Sequence, residues 1–244
     1  MKVPARLLTL ALIVVPAVPA LAAPTATAPK PATVARYSFD AGAPSGRVAE
    51  LSGRGLALKV RTADRGVVRF VASGKGRYAA FPARCAATAK TCPRALLEGG
   101  DDPDLDPGTR SFRWGASIAV TKAQIAGSSN VVQKGVSTTE SQWKMQIGAN
   151  QGRAQCVVVG RGSGKAYIAR SSTVVTDGRW HKVLCQRVGS ALIIYVDGVN
   201  RGRVSVPSTL SIWNDKPLRV GGPNFNTTSD MYHGLLDDVY ARLG

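Results

Sequence analysis

The sequence predicts an all-β protein built from antiparallel strands, and three observations predict it. Short runs of β-branched, aromatic and other apolar residues recur from residue 35 to the end of the chain. Clusters of Gly, Asp, Asn and Ser separate them at close intervals, and nothing carries the period of a long amphipathic helix. Strands spaced so closely, with no helical patterns between them, form a sandwich or barrel rather than βαβ units. No internal repeat and no composition break divides the run, and no second domain is expected.

The elements follow in order. Strands are expected at 35–39, 56–61, 67–71 and 78–81, with Gly-containing turns between them. The segment 83–107 is irregular and is read as a loop insertion pinned by a disulfide. A long central strand at 111–120 follows, then strands at 130–134, 142–148, 154–159 and 165–170. Residues 179–187 and 191–196 pair across the short Val188-Gly189-Ser190 turn, and Asp197-Gly198 suits a two-residue hairpin into 201–206. Short strands at 218–220 and 234–242 close the chain.

The run Asp177-Gly178-Arg179-Trp180-His181-Lys182-Val183, continued through Arg187 to Tyr195-Val196-Asp197-Gly198-Val199, resembles the central signature of laminin-G-like domains, members of the concanavalin A-like jelly-roll superfamily. Arg36-Tyr37-Ser38-Phe39-Asp40 is similar to the family's opening strand, and Leu105-Asp106-Pro107-Gly108 with Phe112 to its central one. Leu218-Arg219-Val220-Gly221-Gly222 and Gly234-Leu235-Leu236-Asp237-Asp238-Val239-Tyr240 resemble its close, although His233 stands where an aromatic is usual. The blocks cover 35–244, a whole domain. The resemblance implies a two-sheet antiparallel jelly-roll β-sandwich. It also implies calcium at the sandwich rim, held by Asp40 after the opening strand and by Asp237 in the closing strand, where alternation parity with Val239 turns the carboxylate inward.

Residues 1–22 read as a secretory signal peptide, with Lys2 and Arg6 before an apolar run too short to span a bilayer and Ala20-Leu21-Ala22 as the cleavage site. Residues 23–34, rich in Pro, Ala and Thr, are expected to be a lead-in, and 35–244 the single domain. The mature protein is expected to be secreted, extracellular and without a membrane span. Its formal charge falls from +17 to +15 once Lys2 and Arg6 are removed. Such a field draws a protein toward anionic polymers when it is focused, and serves solubility when it is scattered. The spread of arginines from Arg36 to Arg242 leaves both readings open and gives no specific nucleic-acid motif. In an oxidising compartment four cysteines make two disulfides in one of three connectivities. The choice here is Cys85–Cys92 in the irregular segment and Cys156–Cys185 between strands.

Catalysis has little support. A jelly-roll glycosidase carries paired carboxylates on one strand, whereas the only Glu residues are Glu50, Glu98 and Glu140, and no E-x-D-x-x-E occurs. His181 is read as a structural member of its strand, and His233 as structural or a ligand contact. In the acidic run, Asp102, Asp104 and Asp106 imitate positions 1, 3 and 5 of an EF-hand loop, but Pro107 stands where that loop needs Gly and Arg113 where it needs Glu. Ligand-binding groups are expected instead between Ser211 and Tyr232, where Trp213, Asn224, Asn226 and Tyr232 combine rings and amides. Trp114, Trp143 and Trp180 are expected in the core. The resulting expectation is a secreted, non-catalytic binding module for carbohydrate or another extracellular, anionic polymer, stabilised by calcium. The alternatives are a structural or adhesive module with a protein partner and a divergent glycoside hydrolase.

Overall fold

The computed structural model describes residues 32–244 apart from 87, 126, 137–140, 149–150 and 227–229. The expected signal peptide, and the lead-in as far as residue 31, lie outside the described residues. Sixteen strands are described: β1 Ala32–Tyr37, β2 Arg47–Val48, β3 Leu58–Ala63, β4 Arg69–Ser73, β5 Gly76–Ala80, β6 Arg94–Glu98, β7 Phe112–Thr121, β8 Ser129–Gly135, β9 Gln142–Ile147, β10 Arg153–Val159, β11 Ala166–Val174, β12 Asp177–Val188, β13 Ala191–Val196, β14 Val199–Ser205, β15 Leu218–Val220 and β16 Leu235–Leu243. Among the described residues helix is limited to three short 3-10 turns.

All pairings are antiparallel, in two sheets. Sheet A runs β14-β13-β12-β7-β16-β5-β4, with β1 beside the second half of β16; sheet B runs β11-β10-β9-β8-β15-β6-β3-β2. This is the expected two-sheet sandwich. β7 makes the reason plain: Phe112, Trp114, Ala116, Ile118 and Val120 alternate onto one buried face, and strand geometry sends Arg113, Gly115 and Ser117 to the other. Facing them, β9 buries Trp143, Met145 and Ile147. The rings of Phe112, Trp114 and Trp143 meet at centroid distances of 5.1 to 5.6 Å, and each such contact adds about 0.5 to 1.5 kcal/mol to the area term.

Cys156 on β10 and Cys185 on β12 join the two sheets, and Cys85–Cys92 closes the loop before β6. Disulfides persist in oxidising, extracellular-type compartments. No helix among the described residues is long and apolar enough to cross a membrane.

Three expectations need correction. β1 begins at Ala32, so Ala32 and Thr33, assigned to the lead-in, pair with β16. The segment 83–107 is not wholly irregular: Ala95, Leu96 and Leu97 are buried in β6, between β3 and β15. Finally, the register of β16 against β7 shifts between Asp237 and Tyr240, and Asp238 adopts φ 48°. That irregularity breaks the parity argument: Leu236, Val239 and Ala241 are buried while Asp237 is only half-buried.

Candidate functional site

The register of sheet A lays out its outer face as rows. Gln186, Arg113 and Arg242 are neighbours on β12, β7 and β16; the next row holds Leu184, Gly115, Tyr240 and, on β1, Arg36; a third holds Lys182, Ser117 and Asp237. Over the first two rows lies a groove of about 700 Å³, reaching Ser117 and Lys182. A second groove of about 500 Å³ also touches Ser117 and Lys182 and continues to Tyr78, Trp180, His181, Asp197 and Asp237. The shared residues make the two one trough across the face.

Gly115 is the floor. A Cβ there would meet the Tyr240 ring at 2.7 Å, so the missing side chain lets that ring lie against the sheet. The Arg242 guanidinium is 5.5 Å from its centre. Burial raises the Tyr240 pKa, outweighing the opposing pull of Arg242 and Arg113, and the ring is a neutral phenol with a donor to offer.

Arg113 and Arg242 are direct cross-strand partners. Like charges so placed are destabilising, yet neither has a carboxylate in ion-pair reach among the described residues. The Nε of Arg113 is buried without a hydrogen-bond partner. Other arginines are neutralised: Arg54 meets Asp104 at 2.7 Å, and Arg61 and Arg219 share Glu98 at 2.6 and 2.8 Å. Arg36, Arg113 and Arg242 thus line this end of the trough with no ion pair among the described residues, although Asp238 lines the same groove.

The other end is acidic and aromatic. Trp180 is 44% exposed and meets the edge of Tyr78 at 5.5 Å; it is not in the core, unlike Trp114 and Trp143. His181 bridges Asp197 at 2.8 Å and Asp177 at 3.0 Å. Burial lowers the His181 pKa, but the two carboxylates outweigh it and the net direction is upward. Burial, then repulsion from Asp238 and Asp40, lifts Asp237 to about 6 despite the Asp238 N–H it accepts.

The expected ligand cluster between Ser211 and Tyr232 does not form one site. Trp213 and Asn214 bond to Ser141, beyond the end of β8, whereas Asp230 accepts from the Asn130 N–H at its start. β15 separates the halves. Trp213 is 46% exposed with the Arg161 guanidinium 3.5 Å from its ring centre. Asn224 accepts the Asn226 N–H at 2.8 Å, a local turn. Tyr232 is 0% exposed, stacks edge-on with Phe81 and donates to the Leu235 carbonyl at 2.8 Å. It is a core residue and touches no ligand surface. His233 is also buried, with Nδ1 2.8 Å from the Pro82 carbonyl, and burial depresses its pKa.

Asp40 is near enough for its charge to help raise the Asp237 pKa. Asp40 accepts the Arg77 N–H at 2.9 Å. Calcium takes six to eight oxygens, and no third His, Cys, Asp or Glu joins this pair among the described residues. The remaining oxygens would have to be carbonyls and water, for which the raised carboxyl of Asp237 is the one favourable sign. The acidic run has another occupation: Asp101 and Asp106 neutralise the buried Lys134 at 2.9 and 2.8 Å, and Asp102 caps a 3-10 turn.

The residues missed by sequence reasoning, Arg113, Arg242, Tyr240 and Trp180, share one available signal: polar or aromatic side chains on the outward parity of interior strands.

Residues 114–241 match the family model of the concanavalin A-like lectin/glucanases superfamily. A comparison with curated protein sequences finds no match. Among solved structures, domain 4 of AbnA, a GH43 extracellular arabinanase from Geobacillus stearothermophilus in complex with arabinotriose, is similar at TM-score 0.65 and 13% identity over 88% of this chain and 94% of that one. The binding domain of Paraclostridial Mosquitocidal Protein 1 is similar at TM-score 0.62 and 13% identity, over 86% of this chain and 48% of that one. Botulinum neurotoxin type C, whose cell entry depends on interaction with two ganglioside molecules, matches at TM-score 0.60 and 11% identity, over 86% and 47%. This chain thus spans about half of either toxin chain, and identities this low concern the fold.

Proposed function

The chain belongs to the concanavalin A-like lectin/glucanases superfamily, and from that premise we propose that it is a secreted, non-catalytic module that binds an extracellular polymer, a polysaccharide in particular, along the outer face of sheet A. The observation that carries the reading is the trough joined at Ser117 and Lys182, with Trp180 exposed at one end. An open trough suits a chain better than a compact small molecule. An exposed indole supplies an apolar face with a polar edge, and Ser117, Gln186 and Tyr240 supply hydrogen-bonding groups for hydroxyls. The likeness to a domain crystallised with arabinotriose supports a sugar chain as the class to test first.

A hydrolase reading draws on Asp237, whose pKa of about 6 would suit a general acid, in the same groove as Asp197. Against it, the Asp197 oxygens are occupied by the Lys182 N–H and by His181, both within 2.9 Å. A protein-interaction reading draws on Trp213 and its Arg161 stack. Calcium at Asp40 and Asp237 remains a proposal, tested by melting with calcium against EDTA.

The deciding experiment probes a polysaccharide and cell-wall array with residues 32–244. Binding weakened by Trp180→Ala, with no reducing sugar released, is expected. Binding indifferent to Trp180, or sugar release, would overturn the reading.

A further inference from the structure

We infer that the polymer is an acidic polysaccharide and that Arg113 and Arg242, with Arg36 beside them, form a clamp for its carboxylate or sulfate groups; this rests on the reading of the sheet A face as the binding site. Both principal arginines lie on interior strands, where register fixes their Cα positions as direct partners. Such a pair repels itself in the free protein. Elsewhere Arg61 and Arg219 flank the shared Glu98 carboxylate. At the trough no carboxylate among the described residues comes within ion-pair reach of Arg113 or Arg242, although Asp238 lines the same groove. An oxyanion between the guanidiniums would relieve the repulsion. Arginine forks suit planar carboxylates and tetrahedral sulfates alike.

The opposite end of the trough selects the polymer class. Asp237 lies in the Ser117 row, four residues along β7 from the Arg113 row, or about 13 Å. A nucleic-acid strand, charged at every phosphate, would bring negative charge onto Asp237 and Asp197 while its neighbours sat on the arginines. A polysaccharide in which acidic residues alternate with neutral ones meets both ends without that conflict. The neutral residue would lie toward Trp180.

The test is titration calorimetry with polygalacturonate as the carboxylate polymer, dextran sulfate as the sulfate polymer, neutral arabinan and single-stranded DNA. Arg113→Gln with Arg242→Gln is compared with Arg47→Gln with Lys59→Gln. The second pair also faces across two strands, removes the same charge, and lies exposed outside the trough. We expect the first double variant to lose tenfold or more in affinity for at least one acidic polysaccharide, since a hydrogen bond to a charged group contributes about that much. The second should lose less than twofold, arabinan should be unaffected by either, and the acidic polymer that loses more identifies the group held. The single variant Arg242→Gln, on an exposed side chain, repeats the test should the double melt early. Equal losses in the two doubles would mean a diffuse field and would overturn the clamp. DNA bound as tightly as the acidic polysaccharides, with the same dependence on Arg113, would overturn the polymer class. Arabinan binding that needs Trp180 alongside acidic polymers that ignore the arginines would sink this inference alone; no polymer sensitive to Trp180 would sink the groove reading.

Discussion

The outer face of sheet A and the segment from Ser211 to Tyr232 carry similar residues and use them oppositely. The segment concentrates aromatic rings and amides in a short stretch of sequence, but β15 divides it. One ring is buried outright, and an asparagine is spent on a local turn. On the sheet face, Arg113, Lys182 and Arg242 are far apart in sequence and brought onto one outer face by register alone. Local richness in binding side chains is thus a poor guide in a β-sandwich. Outward parity on interior strands is a better one, because the backbone ladder holds those positions rigidly.

The largest expected effect tests the buried side of that contrast. Tyr232→Ala should destabilise by about 3 to 5 kcal/mol, the cost of emptying an aromatic core site, and the surviving folded protein should bind polymer as before. Chemical denaturation and calorimetry read the two separately. A stable variant that has lost binding would return Tyr232 to the ligand surface. Next is the bridge between the sheets: Cys156→Ala with Cys185→Ala should cost about 2 to 5 kcal/mol. The Cys85–Cys92 pair closes only a sequence separation of 7 against 29, and its removal should cost less on the loop-entropy account. The reverse ranking in urea midpoints would place the mechanical weight on the loop before β6.

The two exposed tryptophans make the sharpest comparison. Trp180→Ala should weaken polymer binding about tenfold, or roughly 1.4 kcal/mol. Trp213→Ala, at the other site, should change it less than twofold, and the two titrations side by side decide which region binds. A larger loss at Trp213 would reverse the assignment of regions.

The fold was legible because its signals are local or compositional. Alternation along 111–120 forecasts which face of β7 is buried, and the 191–196 run with Asp197-Gly198 forecasts the hairpin. β6 escaped because Arg94 to Glu98 carries one short apolar run beside a disulfide loop and an acidic stretch, which reads as irregular. The site was less legible for a different reason. Trp180 sits inside a family signature, as core tryptophans do, although it shares the outward parity of Lys182, Leu184 and Gln186 on β12. The Asp237 parity argument failed for a different reason, the irregularity in β16. Strand parity carries an inference only as far as the next bulge.

That irregularity supplies the last and smallest prediction. Asp237 titrates at about 6 in the folded protein, against an ordinary value of 3.8, chiefly because burial penalises its charged form, with Asp238 and Asp40 adding repulsion. A folded-state pKa above the unfolded one favours the fold while the carboxyl is protonated. The contribution is therefore full below about pH 4 and is lost as pH rises through 6. Asp237→Asn removes the charge and keeps an oxygen to accept the Asp238 N–H. It should raise stability by about 1 kcal/mol at pH 7.5, after allowance for partial exposure, which corresponds to about 2 to 4 °C in melting temperature for a chain of this size. At pH 4 the variant and the parent should melt together. His181, whose pKa is raised by Asp197 and Asp177, titrates in both proteins, and the difference between them isolates Asp237. The measurement is made in EDTA, because a bound cation would mask the repulsion. A variant less stable than the parent at pH 7.5 would mean that the Asp237 charge is compensated in the folded protein and that the acidic end of the trough is not strained.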